Sequence, residues 1–263
     1  MRQALPLALL LALAPAAPGR CASAPAPATL AQAASLWQCT ERGVRDHQLS
    51  RARARRAFLR AFEALGRLSP RQGPLGRWAF PLPGYGPSDF SPLSYRPRGF
   101  DYYLGTGKGA PHPAVDIFVD DRRERQVDDR TGGPIPVVAA FGGVVVSAEQ
   151  GWEHHDRWHG GVYAYVMRPQ SGWIAYYAHL ERLDVVLGQV VRGGQLIGYL
   201  GRTGVNADKR RSPTHLHLMW MRFRAGTFKV FNPTRPLRRA RLEGLKAERA
   251  LAQVPDRPSR RRD

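Results

Sequence analysis

The chain has 263 residues, enough for one good-sized domain and an appendage. Its 40 Lys+Arg against 21 Asp+Glu give a net charge of +19, a field that attracts polyanions such as nucleic acid, anionic lipid headgroups or acidic polymers. Hydrophobic content is ordinary for a soluble globular protein, and two cysteines exclude both a disulfide-rich scaffold and a cysteine metal cluster.

The first element is a leader over residues 1–24. Met1-Arg2 precedes an apolar run from Ala4 to Ala14, and Ala22-Ser23-Ala24 is a small-x-small cleavage site. The run is too short to span a bilayer. It predicts an exported protein, periplasmic or secreted. An exported chain meets wall and membrane first, so the charge is expected either to serve an anionic wall or membrane surface or to serve solubility alone. Arg20 stands where a small residue is expected before a lipidated cysteine, which argues against lipidation at Cys21. Cleavage after Ala24 removes Cys21 and leaves Cys39 alone, with Trp37 favouring its burial.

Residues 25–77 form the next region, Ala/Pro-rich and then basic and helical. The opening stretch 25–33 reads as disordered. From Ser35 to Leu68 the composition favours helix. Phe58, Phe62 and Leu65 fall at i, i+4 and i+7, with Leu59 beside them, so one narrow stripe is apolar. Arg51, Arg53, Arg55, Arg56 and Arg60 cover the rest, as expected of a helix with one face packed on the next domain and the other solvated. Ser69-Pro70 and Gly73-Pro74 end the helix and form a linker.

Residues 78–237 change character to short β-branched and aromatic runs punctuated by Gly and Pro. Strands are predicted at Val115–Val119, Ile135–Ala140, Gly143–Ala148, Gly161–Met167, Trp173–His179, Leu196–Leu200 and Leu216–Arg222. The short intervals leave no room for crossover helices, so the fold class is mainly β with antiparallel pairing. Residues 81–111 are an irregular lead-in. Residues 238–263 are a basic C-terminal helix followed by a tail.

The chemistry concentrates in His112-x-x-x-Asp116, His179, and His215-Leu-His217. Imidazole and carboxylate suit a borderline-soft dication, and a catalytic zinc site needs three protein ligands with one position open. On a strand His215 and His217 point the same way, and Leu216 and Leu218 point into the core. Likewise Asp116 opposes the Val115, Ile117, Val119 face. Pro113 restricts His112 to extended geometry. Tyr177, two residues before His179, is expected on the same face, as a substrate contact or as a half-buried strand aromatic. The loop Gly151–Gly160 holds His154, His155, Asp156 and His159. A second metal there is the less favoured reading, and Trp152 and Trp158 are at least as good a wall for substrate. The chain has no phosphate-binding Gly-x-x-x-x-Gly-Lys loop.

Taken together these stretches resemble the lysostaphin/LytM-type zinc endopeptidases. The resemblance rests on His112-Pro-Ala-Val-Asp116, Pro136-Val-Val-Ala139 with Gly142-Gly-Val144, and Tyr177-Ala-His-Leu180. Gly188–Gly198, Gly201-Arg-Thr-Gly204 and His215-Leu-His217 complete it, in the family's order and over about residues 78–235. The resemblance implies an antiparallel β-sheet groove of the duplicated-hybrid-motif type, with Zn2+ held by His112, Asp116 and His217. It implies His179 and His215 as the catalytic pair, with His215 the general base and His179 the stabiliser of the tetrahedral intermediate, or the two sharing these roles. The implied activity is hydrolysis of peptide bonds in peptidoglycan stem peptides or crosslinks, with a diaminopimelyl crosslink favoured over a glycine bridge. The alternative is a non-catalytic LytM-like regulator of another wall hydrolase, against which the complete five-residue set argues. Two stretches exceed the family pattern: Asp120–Gly133, and Val205–Thr214 with Lys209, Arg210 and Arg211. Both bear on substrate preference.

Overall fold

The computed structural model describes residues 25–71, 78–86, 89–91, 94–104, 111–156 and 160–252. The leader, its cleavage site and Cys21 lie outside the described residues, as do Trp158, His159 and the tail from 253.

Two helices precede the sheet: α1, Leu30–Arg45, and α2, Arg51–Leu68. Thr29 caps α1 by accepting from the Gln32 N–H, and Ser50 caps α2 through the Arg53 N–H. The strands are β1 Phe90–Ser91, β2 Ala114–Phe118, β3 Pro136–Val138, β4 Gly143–Glu149, β5 Val162–Arg168, β6 Trp173–Leu183, β7 Val190–Val191, β8 Leu196–Leu200, β9 His215–Arg224 and β10 Thr227–Phe231. They form one ten-stranded sheet in the order β1-β2-β9-β6-β5-β4-β7, with β10 on β9 and a β3–β8 pair joined to β6. Every pairing is antiparallel, as the short intervals predict. A final helix, α3, spans Thr234–Ala252 and so begins ahead of residue 238. Asn232 starts it, its side chain accepting the Thr234 N–H at 2.9 Å.

The period of two divides the sheet's apolar residues between two cores. Val115, Ile117, Ala175, Tyr177, Leu216 and Leu218 face one cluster, closed by β3 and β8. Ile174, Met219, Met221 and Phe223 face the other, which α1 and α2 cover. There Trp37 and Phe58 are fully buried, with ring centroids 4.6 Å apart, and Phe223 lies 5.2 Å from Trp37. Arg42 makes a bidentate pair with Glu149 of β4, both contacts 2.7 Å. The helical region is thus part of the core, which corrects the reading of its opening stretch. Residues 25–33 are not disordered throughout: α1 starts at Leu30, and Ala33 is fully buried. Cys39 is partly buried. The arginine-rich remainder of α2 faces outward, with Arg51, Arg53, Arg55 and Arg56 exposed. Among the described residues no helix is long and apolar enough to cross a membrane.

Candidate metal centre and active site

The pairing of β2 with β9 builds the site. Asp116 sits directly opposite His217, and Phe118 opposite His215. On the other side of β9, His217 pairs with Ala178 of β6. His112 precedes β2 and is held by a two-bond bridge to Arg96, with N–O distances of 2.6 and 2.8 Å. The result is a cluster in which the ligand atoms of His112, Asp116 and His217 all lie within 4.8 Å of one another. His112 Nε2 is 3.3 Å from Asp116 Oδ1, His217 Nδ1 is also 3.3 Å from it, and the two nitrogens are 3.1 Å apart.

Asp116 Oδ1 is buried and has no hydrogen-bond partner of good geometry. A buried orphan carboxylate oxygen with two ring nitrogens converging on it is unfavourable by itself and fits a bound cation. The outer contacts fit as well. His112 Nδ1 lies 2.6 Å from the Ser94 carbonyl, so it carries the proton and leaves Nε2 free to ligate. The Ser94 hydroxyl accepts the Asp116 N–H at 3.1 Å. Burial opposes the His112 cation, yet the neighbouring Asp116 carboxylate outweighs it and raises the imidazole pKa. Burial would likewise raise the Asp116 pKa, but the His112 and His217 rings hold it well below the usual carboxylate range. His217 is displaced downward, chiefly by burial.

His179 and His215 stand beside this cluster. Their ring centroids are 5.0 Å apart, and His179 is 5.6 Å from His217. His215 Nε2 lies 3.8 Å from Asp116 Oδ1. Each ring is anchored alike: His179 Nδ1 donates to the Thr203 carbonyl at 2.8 Å, and His215 Nδ1 to the Pro213 carbonyl at 2.7 Å. That tautomer leaves a lone pair on both Nε2 atoms. His179 is 7 % exposed, and burial followed by the adjacent His215 and His217 rings lowers its pKa well below the ordinary value.

His179 reaches the site only because β6 is irregular. Strict alternation would send it to the core with Ala175 and Tyr177. Its backbone has φ 66°, and the β6–β8 register shifts between Leu180 and Arg182, so the side chain swings to the opposite face. This overturns the expectation for Tyr177. That ring is fully buried on the core face, its hydroxyl accepting the Ala140 N–H at 2.7 Å. The tyrosine beside the site is Tyr176, 5.9 Å from the His217 ring, and Phe118 lies 5.6 Å from the His215 ring. Gly161, at φ 62°, lets the chain pass against Thr203, where a Cβ would collide.

Thr203 lay within a noted motif, but Ser94 carried no signal, being far from His112 in sequence within an irregular stretch. The second-metal reading gains nothing. His154 pairs with Asp208 at 2.9 Å, and His155 lies 3.4 Å from Glu153. Among the described residues only the His112 group converges as metal ligands do.

The antiparallel sheet thus presents a His–Asp–His cluster flanked by two anchored imidazoles. Residues 125–229 match the model of Peptidase family M23. The matched stretch contains His179, His215 and His217. His112 and Asp116 precede it and join it through the β2–β9 register. Among solved structures, the catalytic domain of lysostaphin from Staphylococcus simulans is 26% identical, covering 59% of this chain and 88% of that one, with TM-score 0.35. A zinc-containing peptidase from Vibrio cholerae is 23% identical over 59% of this chain and 39% of its own length, with TM-score 0.37. The SpoIIQ–SpoIIIAH pore-forming complex is 18% identical over 59% of this chain and 89% of the matched one, with TM-score 0.39. Comparison with curated proteins gives no match.

Proposed function

We propose that this chain is an exported zinc metallo-endopeptidase that hydrolyses peptide bonds of peptidoglycan stem peptides or crosslinks. The observation that carries the reading is the convergence of His112 Nε2, Asp116 Oδ1 and His217 Nδ1 beside two carbonyl-anchored imidazoles. His112, Asp116 and His217 would hold the metal. Zinc, when bound, supplies Lewis acidity that activates water near neutral pH and polarises a carbonyl.

The protein's own groups do the rest. His215 Nε2, a lone-pair acceptor beside Asp116, takes the proton of the attacking water. The neutral His179 ring is an acceptor at Nε2 for the same reason. It donates to a developing oxyanion only after receiving a proton, so the two rings share the proton-transfer task instead of dividing it. Among the described residues no pair of carboxylic acids stands astride this site, which favours an amide over a glycosidic bond as the target. The family match supplies the choice of wall peptides, and the +19 charge fits an anionic wall or membrane surface.

The test is incubation of the zinc-loaded protein with crosslinked muropeptide dimers and, separately, with pentaglycine. Conversion of dimers to monomers with new amino groups is expected. Cleavage of pentaglycine alone would overturn the diaminopimelyl preference. Release of reducing sugar without new amino groups would overturn the peptidase reading, and tight wall binding without any cleavage would favour the regulator.

A further inference from the structure

Next to the site lies a cavity, about 320 Å³ in volume, that the hydrolytic chemistry does not use. Both stretches in which this chain exceeds the family pattern reach it, together with the histidine-rich loop. The Asp120–Gly133 stretch contributes Gln126, the histidine-rich loop contributes Trp152 and Glu153, and the Val205–Thr214 stretch contributes Asp208. Thr203 is a shared wall: it lines the cavity, and its carbonyl anchors His179. A group held here sits one residue away from the catalytic imidazole.

The cavity's charge runs against that of the whole chain. Glu153, Glu181 and Asp208 line it, in a protein of net charge +19, with His154 also in the lining 2.9 Å from Asp208 and His155 3.4 Å from Glu153. Its one guanidinium, Arg202, is only 7 % exposed and already committed. It donates to the carbonyls of Lys209 and Ser212 and to the Thr214 hydroxyl, and it lies 3.3 Å from Glu124. Two lining residues carry buried polar atoms without a hydrogen-bond partner, Gln126 Oε1 and Trp152 Nε1. Such atoms are unfavourable until water or a ligand satisfies them. The three carboxylates do not gather as ligands of a single metal ion. A dispersed ring of anionic acceptors with an indole wall is instead suited to an ammonium group, through charge-assisted hydrogen bonds and cation–π contact.

We propose that this cavity is a specificity subsite for a primary ammonium group on the peptide substrate, with Glu181 and Asp208 as its principal anionic partners and Trp152 as its wall. The proposal rests on the peptidase reading for its substrate, but its test separates the two. The first measurement compares crosslinked muropeptides that differ only in a free or an N-acetylated amine. Acetylation should raise KM by roughly tenfold, the worth of one charge-assisted contact, with kcat nearly unchanged. The double variant Glu181→Gln, Asp208→Asn should lose that discrimination and cleave the acetylated peptide as the parent does. Both side chains reach solvent, and neither belongs to the catalytic cluster. The second measurement is a calorimetric titration with an uncrosslinked diaminopimelate-containing peptide, acetylated or free, which reads the subsite even if nothing is cleaved. A preference for the free amine that disappears in the double variant supports the subsite. Equal KM, or equal affinity, for the two forms in the parent protein overturns it.

Discussion

Glu41 tests how α1 is joined to the sheet. It is 6 % exposed, and its Oε2 accepts from the Tyr163 hydroxyl at 2.8 Å and the Ser147 hydroxyl at 3.4 Å. Burial raises its pKa from the ordinary 4.5 to about 7, with the Arg45 charge pulling the other way. Between these values the folded chain holds a proton that the unfolded chain has released. A folded state that binds the extra proton loses stability as pH rises. Its contribution is therefore greatest below 4.5 and declines until about 7. That interval, at about 1.4 kcal/mol per pH unit, amounts to about 3 kcal/mol. Glu41→Gln keeps an acceptor for Tyr163 and never ionises. The variant should match the parent below pH 4.5 and exceed its stability by up to about 3 kcal/mol above pH 7. Denaturant unfolding of both proteins across this pH range measures the difference, in which the other titrating groups cancel. If the variant is the less stable of the two at alkaline pH, Glu41 is ionised in the fold and works as an ion-pair partner of Arg45, and the reasoning fails.

The remaining predictions concern the site and the helical cover. The mature protein should bind one zinc per chain, and His112→Ala, Asp116→Ala and His217→Ala should each lose most of it; full occupancy by metal analysis in all three would refute the ligand set. His179→Ala and His215→Ala should retain zinc while turnover falls by about 10²–10⁴-fold. Near-normal hydrolysis of muropeptide dimers by either variant would remove that ring from the mechanism. Phe58→Ala empties a fully buried position between Trp37 and Phe223 and should cost about 3–5 kcal/mol of unfolding free energy. A loss below about 1 kcal/mol in the same denaturant assay would mean that α2 is not part of the core.

Much of this protein is legible in one dimension because its signals are local. Alternation along β2 and β9 places Val115, Ile117, Leu216 and Leu218 inside and turns Asp116, His215 and His217 the other way, and the structure follows that pattern. The chemistry of the His and Asp side chains marks them as candidate ligands from their types alone. The apolar stripe of α2 is a matter of spacing; Phe58 and Leu65 are buried, and Leu59 and Phe62 partly so. Only the tertiary structure brings His112 and Asp116 against His217, because strand register depends on the whole sheet. It also decides which tyrosine faces the site. The left-handed backbone at His179 breaks the alternation, so Tyr176 takes the place that simple parity gives to Tyr177. Ser94 and Thr203 act through backbone carbonyls, which every residue possesses and no sequence distinguishes. Asp120–Gly133 and Val205–Thr214 read only as two insertions, and it is folding that sets Gln126 and Asp208 around one cavity beside His179.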